Sequence, residues 1–494
     1  MGAGTGYRPG VRMDSVSGTA VVPGVLTATG HPLQRAGAWA VAVLARRADP
    51  EQVTAGDLDR VAAVVVEDAV RAAMAEKNTA EYDWWKVLFA LYPNSKATHS
   101  QRPRDAAVLR EALTPLFAAD AEGPSTAEWP CTFCGARAGA VWAKSTLPMF
   151  DTNTALNTLP PNVPGWPVCR GCRIAAWSLP YGAWVTAGSV TVLGCEAAGV
   201  ERAFTARNIR DARRIMQLGF GARRVGARPE LNAVRALRAL RSDVQAAATL
   251  WTFKNDNQEP WLRVVRTRQS LAHFLAVVDS NAEPRRGWRL LELSLTRRGT
   301  DGKVVTSGPD EAARLLFEAD GSHSRSLLWT LHRLLHPRGD SWNVRDRTAL
   351  TRLALTYAEE TLGMKSRLEA VATLVADWIE HGSGSPRGRL AEYRQAALND
   401  YHLGRLLSTA QFRLTLDGRP VATGPEDWQQ FIERRPRAWE HRMLLASRVI
   451  QLIQERGVKV SDAAGSIDDE TERLVEQPIL EPADEDLGDE MGEM

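Results

Sequence analysis

Two short cysteine pairs, Cys131-Thr-Phe-Cys134-Gly135 and Cys169-Arg-Gly-Cys172, constrain this chain more than any other feature in it. A CxxC turn aims two thiolates at one metal ion and leaves the amides between them free to bond sulfur. Two such turns complete a tetrahedral sulfur site that suits Zn²⁺ and leaves no open position for water. Cys131, Cys134, Cys169 and Cys172 are therefore expected to hold a structural zinc, with an iron–sulfur cluster as the alternative occupant. The 34 residues between the pairs make a longer excursion than a compact zinc ribbon needs. The fifth and last cysteine, Cys195, reads as a small buried hydrophobe. So few cysteines in 494 residues exclude a disulfide scaffold, and a reducing, cytoplasmic setting is expected. The first thirty residues lack the basic start and apolar core of a secretory signal. No run of about 18 apolar residues occurs, so no membrane partner is expected.

The pattern around the cysteines predicts an α+β, multidomain chain: a helical N-terminal region, a zinc-knuckle and mixed α/β middle, and a C-terminal helical bundle. Residues 1–125 read as mostly helical after a short strand at 20–27. Apolar residues repeat at helical spacing over 31–47 and 57–77, and an aromatic-rich third helix covers 81–91. Residues 126–182 form the four-cysteine insertion, rich in Pro, Gly, Asn and Thr and without lasting periodicity. An Arg-rich mixed region covers 183–320, with strands expected at 183–193, 249–254, 261–267 and 288–296 and helices at 205–218 and 229–247. Residues 321–460 carry amphipathic patterns at 324–335, 344–362, 365–381, 387–409 and 436–456, joined by short breaks, which predicts a bundle. Residues 461–494 read as an acidic, disordered tail.

That tail hides a charge asymmetry. The formal net charge is +2, but residues 468–494 hold twelve acids against Arg473, so the rest of the chain carries +13. Eleven arginines lie between Arg202 and Arg241, opposed only by Asp211 and Glu230. Steps of three and four residues put Arg207, Arg210 and Arg214 on one helical face. Arginine binds phosphate through two parallel bonds and stacks on bases, so Arg207, Arg210, Arg213, Arg214, Arg223 and Arg224 are candidate nucleic-acid contacts. No catalytic residue is assigned. The run Gly219 to Gly226 has neither dinucleotide nor P-loop spacing, and His332 and His336 lack the glutamate of a zinc protease.

Three segments resemble one family. Thr27-Ala-Thr-Gly-His-Pro-Leu-Gln-Arg-Ala-Gly37 is similar to the N-terminal signature of the large subunits of type I-B CRISPR interference (Cascade) complexes. The split knuckle ending Trp166-Pro-Val-Cys169-Arg-Gly-Cys172, followed by Leu179-Pro-Tyr-Gly182, resembles that family's zinc finger. Trp251-Thr-Phe-Lys-Asn255-Asp-Asn-Gln258-Glu-Pro260 resembles its "F-x-N-x-x-Q-x-P" strand pair. The likeness spans roughly 25–275. It departs at Arg35, where the family usually has Asp. The resemblance implies a non-catalytic subunit that sits by the guide RNA with the Cascade backbone subunits. Such a subunit reads the protospacer-adjacent motif on target double-stranded DNA, stabilises the R-loop and helps recruit the helicase–nuclease in antiviral defence. Lys254, Asn255 and Gln258 are candidate base-reading residues, although Asn255 equally suits a turn-forming role. The C-terminal bundle would serve as a small-subunit-like part, with Met364 a candidate internal start for a free small subunit. The alternative is a stand-alone zinc-stabilised DNA- or RNA-binding regulator or transposition accessory protein.

Overall fold

The computed structural model describes residues 25–120, 129–143, 145–148, 165–223, 226–239, 245–254, 261–319, 327–335, 342–421, 423–433 and 438–460. It is a mixed α/β chain with small sheets, a four-cysteine cluster in its middle and helices at its C-terminus. Four helices open it: α1 (Pro32–Leu44), α2 (Ala55–Met74), α3 (Ala80–Leu91) and α4 (Ala106–Leu113). Local chemistry fixes their ends. Thr54 and Asp57 form a capping box on α2, and Thr79 and Asp105 cap α3 and α4.

The cysteine region contributes two small ladders, β1 (Trp129–Pro130) with β2 (Arg137–Ala138) and β3 (Ala140–Trp142) with β4 (Trp166–Val168), then α5 (Arg170–Gly182). The absence of periodicity at the end of this region concealed α5. Every residue from Gly171 to Gly182 is buried, so the helix has no polar face from which a period could be read. It is the axle of the N-terminal half and packs most closely on α1. A Cβ added to Gly37 would lie 1.9 Å from the Ala175 carbonyl oxygen, and one on Gly182 would lie 2.4 Å from that of Ala36. Only glycine permits this approach. Gly37→Val is expected to cost about 1–3 kcal/mol or more by overpacking. Thermal unfolding should show this as a melting temperature several degrees lower, and an unchanged melting curve would refute the close approach.

A five-stranded antiparallel sheet follows, in the order β5 (Trp184–Val185), β6 (Ser189–Cys195), β7 (Ala248–Lys254), β8 (Trp261–Arg266) and β11 (Glu318–Ala319). Its pleat divides the molecule. Val190 and Val192 of β6, with Trp251 and Phe253 opposite them on β7, face a core shared with α1–α5 and the cysteine ladders. Leu193 and Cys195, with Leu250 and Ala248 opposite, face a second core that continues into the C-terminal helices. The period-2 alternation of one strand pair thus supplies a wall to each core. Helix α6 (Ala198–Leu218) spans both, giving Val200 and Phe204 to one and Ala212 and Ile215 to the other.

Around the sheet lie α7 (Pro229–Leu237), α8 (Leu271–Ser280), α9 (Ala282–Leu295), a two-stranded ladder of β9 (Arg297–Arg298) and β10 (Val304–Thr306), and α10 (Gly308–Arg314). Of residues 288–296, expected as a strand, 288–295 belong instead to α9 and Thr296 is its C-cap. Pro284, Gly287, Trp288 and Leu291 are its buried face, and this helical spacing outweighs the local alternation of apolar residues. The C-terminal helices are α11 (Leu327–Leu335), α12 (Val344–Leu362), α13 (Lys365–His381), α14 (Pro386–Ala396), α15 (Asp400–Leu416), α16 (Pro425–Ile432) and α17 (Ala438–Glu455). The single helix expected over 387–409 is two. Asn399 accepts from the Tyr401 and His402 amides and starts α15 afresh. No helix among the described residues is long and apolar enough to cross a membrane.

Candidate metal centre and arginine-lined cleft

The four cysteine sulfurs lie within 4.8 Å of one another. A tetrahedral thiolate site with metal–sulfur bonds of about 2.3 Å needs sulfurs about 3.8 Å apart, so this cluster can hold one metal ion. Each pair is held by its own turn. Around the first, the Cys131 amide donates to the Ala136 carbonyl (2.7 Å) and the Gly135 amide to the Cys131 carbonyl (2.8 Å), with Gly135 at φ +76°. The second pair begins at Cys169, the N-cap of α5, where the helix dipole favours an anionic sulfur. The Thr132 amide donates to the Pro167 carbonyl (2.9 Å), tying the first turn to the strand that delivers the second.

The signature segment near the N-terminus is wrapped on this centre. The buried Gln34 side chain donates to the Thr27 carbonyl (2.7 Å) and reaches Cys172 Sγ (3.5 Å), while its Oε1 accepts from the Thr29 amide and hydroxyl. His31 sits edge-on to Phe133 inside the first CxxC turn, and burial lowers its pKa. Among the thiols, hydrogen bonds from Cys134, Cys169 and Cys172 hold Cys131 far below the ordinary range. The neighbouring sulfurs, Cys131 first, and burial push Cys172 far above it. Four sulfurs this close repel one another as thiolates, and a bound cation would offset that repulsion. Cys195 is apart from it, buried in β6, where desolvation raises its thiol to about 11.

The second candidate site is an open cleft of about 400 Å³ between α6 and α7, lined by Arg207, Arg210, Arg214, Arg223, Arg228 and Arg235 with Asp211 and Asp310. Arg207, Arg210 and Arg214 share the face expected for them. Burial first, then the charges of Arg235 and Arg210, lower the Arg207 pKa, so the guanidinium groups crowd one another and an anion would relieve them. Two other candidates already have partners within the chain. Arg213 reaches the buried Asp68 carboxylate (2.8 Å), which also accepts from Tyr181. Arg223, at the cleft edge, bonds Asp211 and the Val185 carbonyl and lies 4.2 Å above the Trp184 ring. Arg228 and Arg235 were not among the candidates; α7 folds them across from α6, a juxtaposition that sequence distance hides. Lys254 ends β7 opposite Ser189 and Trp261 and is not part of the cleft lining. Arg224, Asn255, Gln258 and the acidic tail lie outside the described residues. Arg35, the departure from the signature, forms a two-bond ion pair with the buried Glu201.

No family model, no curated protein and no solved structure matches this chain.

Proposed function

We propose that this chain is a non-catalytic nucleic-acid-binding protein whose four cysteines carry a structural zinc. Its wider role is proposed as that of large subunit in a type I-B CRISPR RNA-guided surveillance complex. In that role it recognises the protospacer-adjacent motif, stabilises the R-loop and helps recruit the helicase–nuclease. The observation that carries the binding reading is the arginine-lined cleft, where Arg207, Arg210, Arg214 and Arg235 stand beside Arg223 and Arg228, which are paired within the chain with Asp211 and Glu311. Asp211 is held by Arg223 and Asp310 by the Arg228 amide, so both acids are engaged within the chain. A phosphate backbone supplies the repeated single negative charges that such a cleft fits. Zinc is the preferred occupant of the metal centre because a closed set of four thiolates at tetrahedral spacing needs no further ligand. The CRISPR assignment draws support from the sequence signatures and from the contact of two of them through Gln34 and Cys172.

Arg207→Ala/Arg210→Ala/Arg214→Ala is expected to weaken nucleic-acid binding similarly for all sequences. It should also flatten the slope of log affinity against log salt by about three, one per lost phosphate contact. A wild-type slope in the triple variant removes the cleft from the binding surface. Co-purification with the products of neighbouring genes, followed by sequencing of bound RNA, tests the wider role. A stoichiometric complex with repeat-derived RNA supports it. A zinc-containing monomer without RNA favours a stand-alone binder, and metal-dependent cleavage by the purified chain would overturn the non-catalytic reading.

A further inference from the structure

A second cavity, of about 260 Å³, shares α10 with the arginine cleft and is bounded by the end of α9, the β9–β10 ladder and α11. Its lining combines Arg297, Arg314 and Arg333 with the half-buried Trp329 and the hydroxyls of Thr306 and Thr330. The Arg333 guanidinium stands over the Trp329 ring, 5.1 Å from its centre, and the indole packs against the core of the C-terminal helices, so a ligand meets the indole together with this guanidinium. Glu311 is the one acid in the lining, and its charge is committed. It bonds Arg314 (2.9 Å) inside the pocket and Arg228 (2.9 Å) on the cleft side. The Arg228 amide in turn donates to Asp310 in the cleft lining (2.9 Å). The two hollows therefore share one ion-paired bridge across α10, and both present arginine to whatever crosses it.

The pocket calls for a ligand with two chemical parts. Its arginines suit an anion, whereas an indole flanked by a guanidinium suits a flat π-system, and hydroxyls at the wall suit polar ring edges. A bare phosphate would engage the arginines alone, and an apolar molecule would face Arg297 and Arg333. A nucleotide satisfies both. The volume is near the lower end of ligand pockets, roughly 300–1,000 Å³, and so fits one residue of a strand. Bases within a duplex are stacked on each other and cannot enter such a pocket, while an unpaired base presents both faces.

We propose that this pocket seats one unpaired nucleotide of a single strand, stacked on Trp329, whose backbone continues over α10 into the arginine cleft. The proposal rests on the cleft's being a nucleic-acid surface, and the test separates the two. Full-length protein is titrated, by fluorescence anisotropy, into a short labelled thymidine strand and into a duplex of the same length. Trp329→Ala is expected to weaken strand binding about tenfold, the loss of one stacked base, with duplex binding unchanged and Trp329→Phe restoring most of the loss. Arg297→Ala/Arg333→Ala, at the exposed rim, is expected to weaken strand binding too and carries the test if Trp329→Ala fails to fold. A strand containing 5-iodouracil should crosslink within 327–335 on irradiation. Wild-type strand affinity in the Trp329 and rim variants, with crosslinks elsewhere and binding still lost in the cleft variant, overturns the pocket and leaves the cleft standing. Protection of the pocket by free thymidine monophosphate, with no strand crosslink there, makes it a free-nucleotide site and overturns the strand path. Failure of the wild type to bind either strand or duplex removes both proposals together.

Discussion

Cys172→Ser is expected to abolish metal binding and unfold the N-terminal half of the chain. Cys169 and Cys172 lie at the first turn of α5, and α5 is the helix around which α1, α2 and α6 are assembled. The core here includes Cys131, Cys169 and Cys172 themselves together with residues of α1 and α4, and Gln34 of α1 reaches Cys172. Among the described residues, the strands that flank the two cysteine pairs form ladders only two or three residues long, too short to fix the turns without a cross-link. A structural zinc contributes an apparent ~10–16 kcal/mol, as much as the whole stability of a typical domain, about 5–15 kcal/mol. Elemental analysis should find one zinc in each wild-type chain and none in the variant. Limited proteolysis should then cut the variant freely between α1 and α6 while fragments from α12–α17 persist. The same cleavage pattern should follow treatment of the wild type with a strong chelator. Visible absorbance with bound iron would replace zinc by a cluster, and a metal-free variant with a wild-type melting curve would remove the structural role altogether.

What the sequence made legible was set by how local each feature is. The cysteine pairs are legible because a two-residue turn dictates its own geometry. Helices α12 and α13 are legible because their ends coincide with Gly363 and with the Gly-Ser-rich break after His381. The mixed class followed from strands β6, β7 and β8, whose β-branched and aromatic runs lie where they were expected. Burial on every side erased the signal of α5, and α9 misled because its apolar residues alternate as well as repeat at helical spacing. The same rule governs the arginines. Arg207, Arg210 and Arg214 could be placed on one face by spacing alone. Arg213 could not be recognised as structural, because Asp68 lies 145 residues away, nor could Arg228 and Arg235 be set facing them before α7 was folded back. The Trp329 pocket has no local signature at all, being assembled from α9, α10, α11 and a two-stranded ladder.

The second large effect is expected at Glu201, where three elements meet. Its carboxylate is 1% exposed and accepts four hydrogen bonds: Arg35 Nε (2.6 Å) and Nη2 (2.8 Å), Trp39 Nε1 (2.7 Å) and the Cys195 amide (3.1 Å). Those donors come from α1 and the end of β6, while Glu201 stands in the first turn of α6, so one side chain joins them. Its hydrogen bonds and charge raise the Arg35 pKa. Glu201→Ala frees Arg35 to turn toward water but strands the Trp39 and Cys195 donors in the core. Two buried donors left without an acceptor cost about 2–6 kcal/mol together, roughly 10 °C in the melting temperature of a unit this size. Arg35→Ala should cost about as much, about 3–5 kcal/mol, because it leaves the buried carboxylate's charge without its cation. The double variant should be milder than the sum of the two, as coupled partners require. Exchanging the charges, Arg35→Asp/Glu201→Arg, should not rescue: it would point a cation at two N–H donors that need an acceptor. Full recovery of thermal stability in the exchanged variant would show that only the Arg35–Glu201 attraction matters, and that Trp39 and Cys195 contribute nothing to the junction.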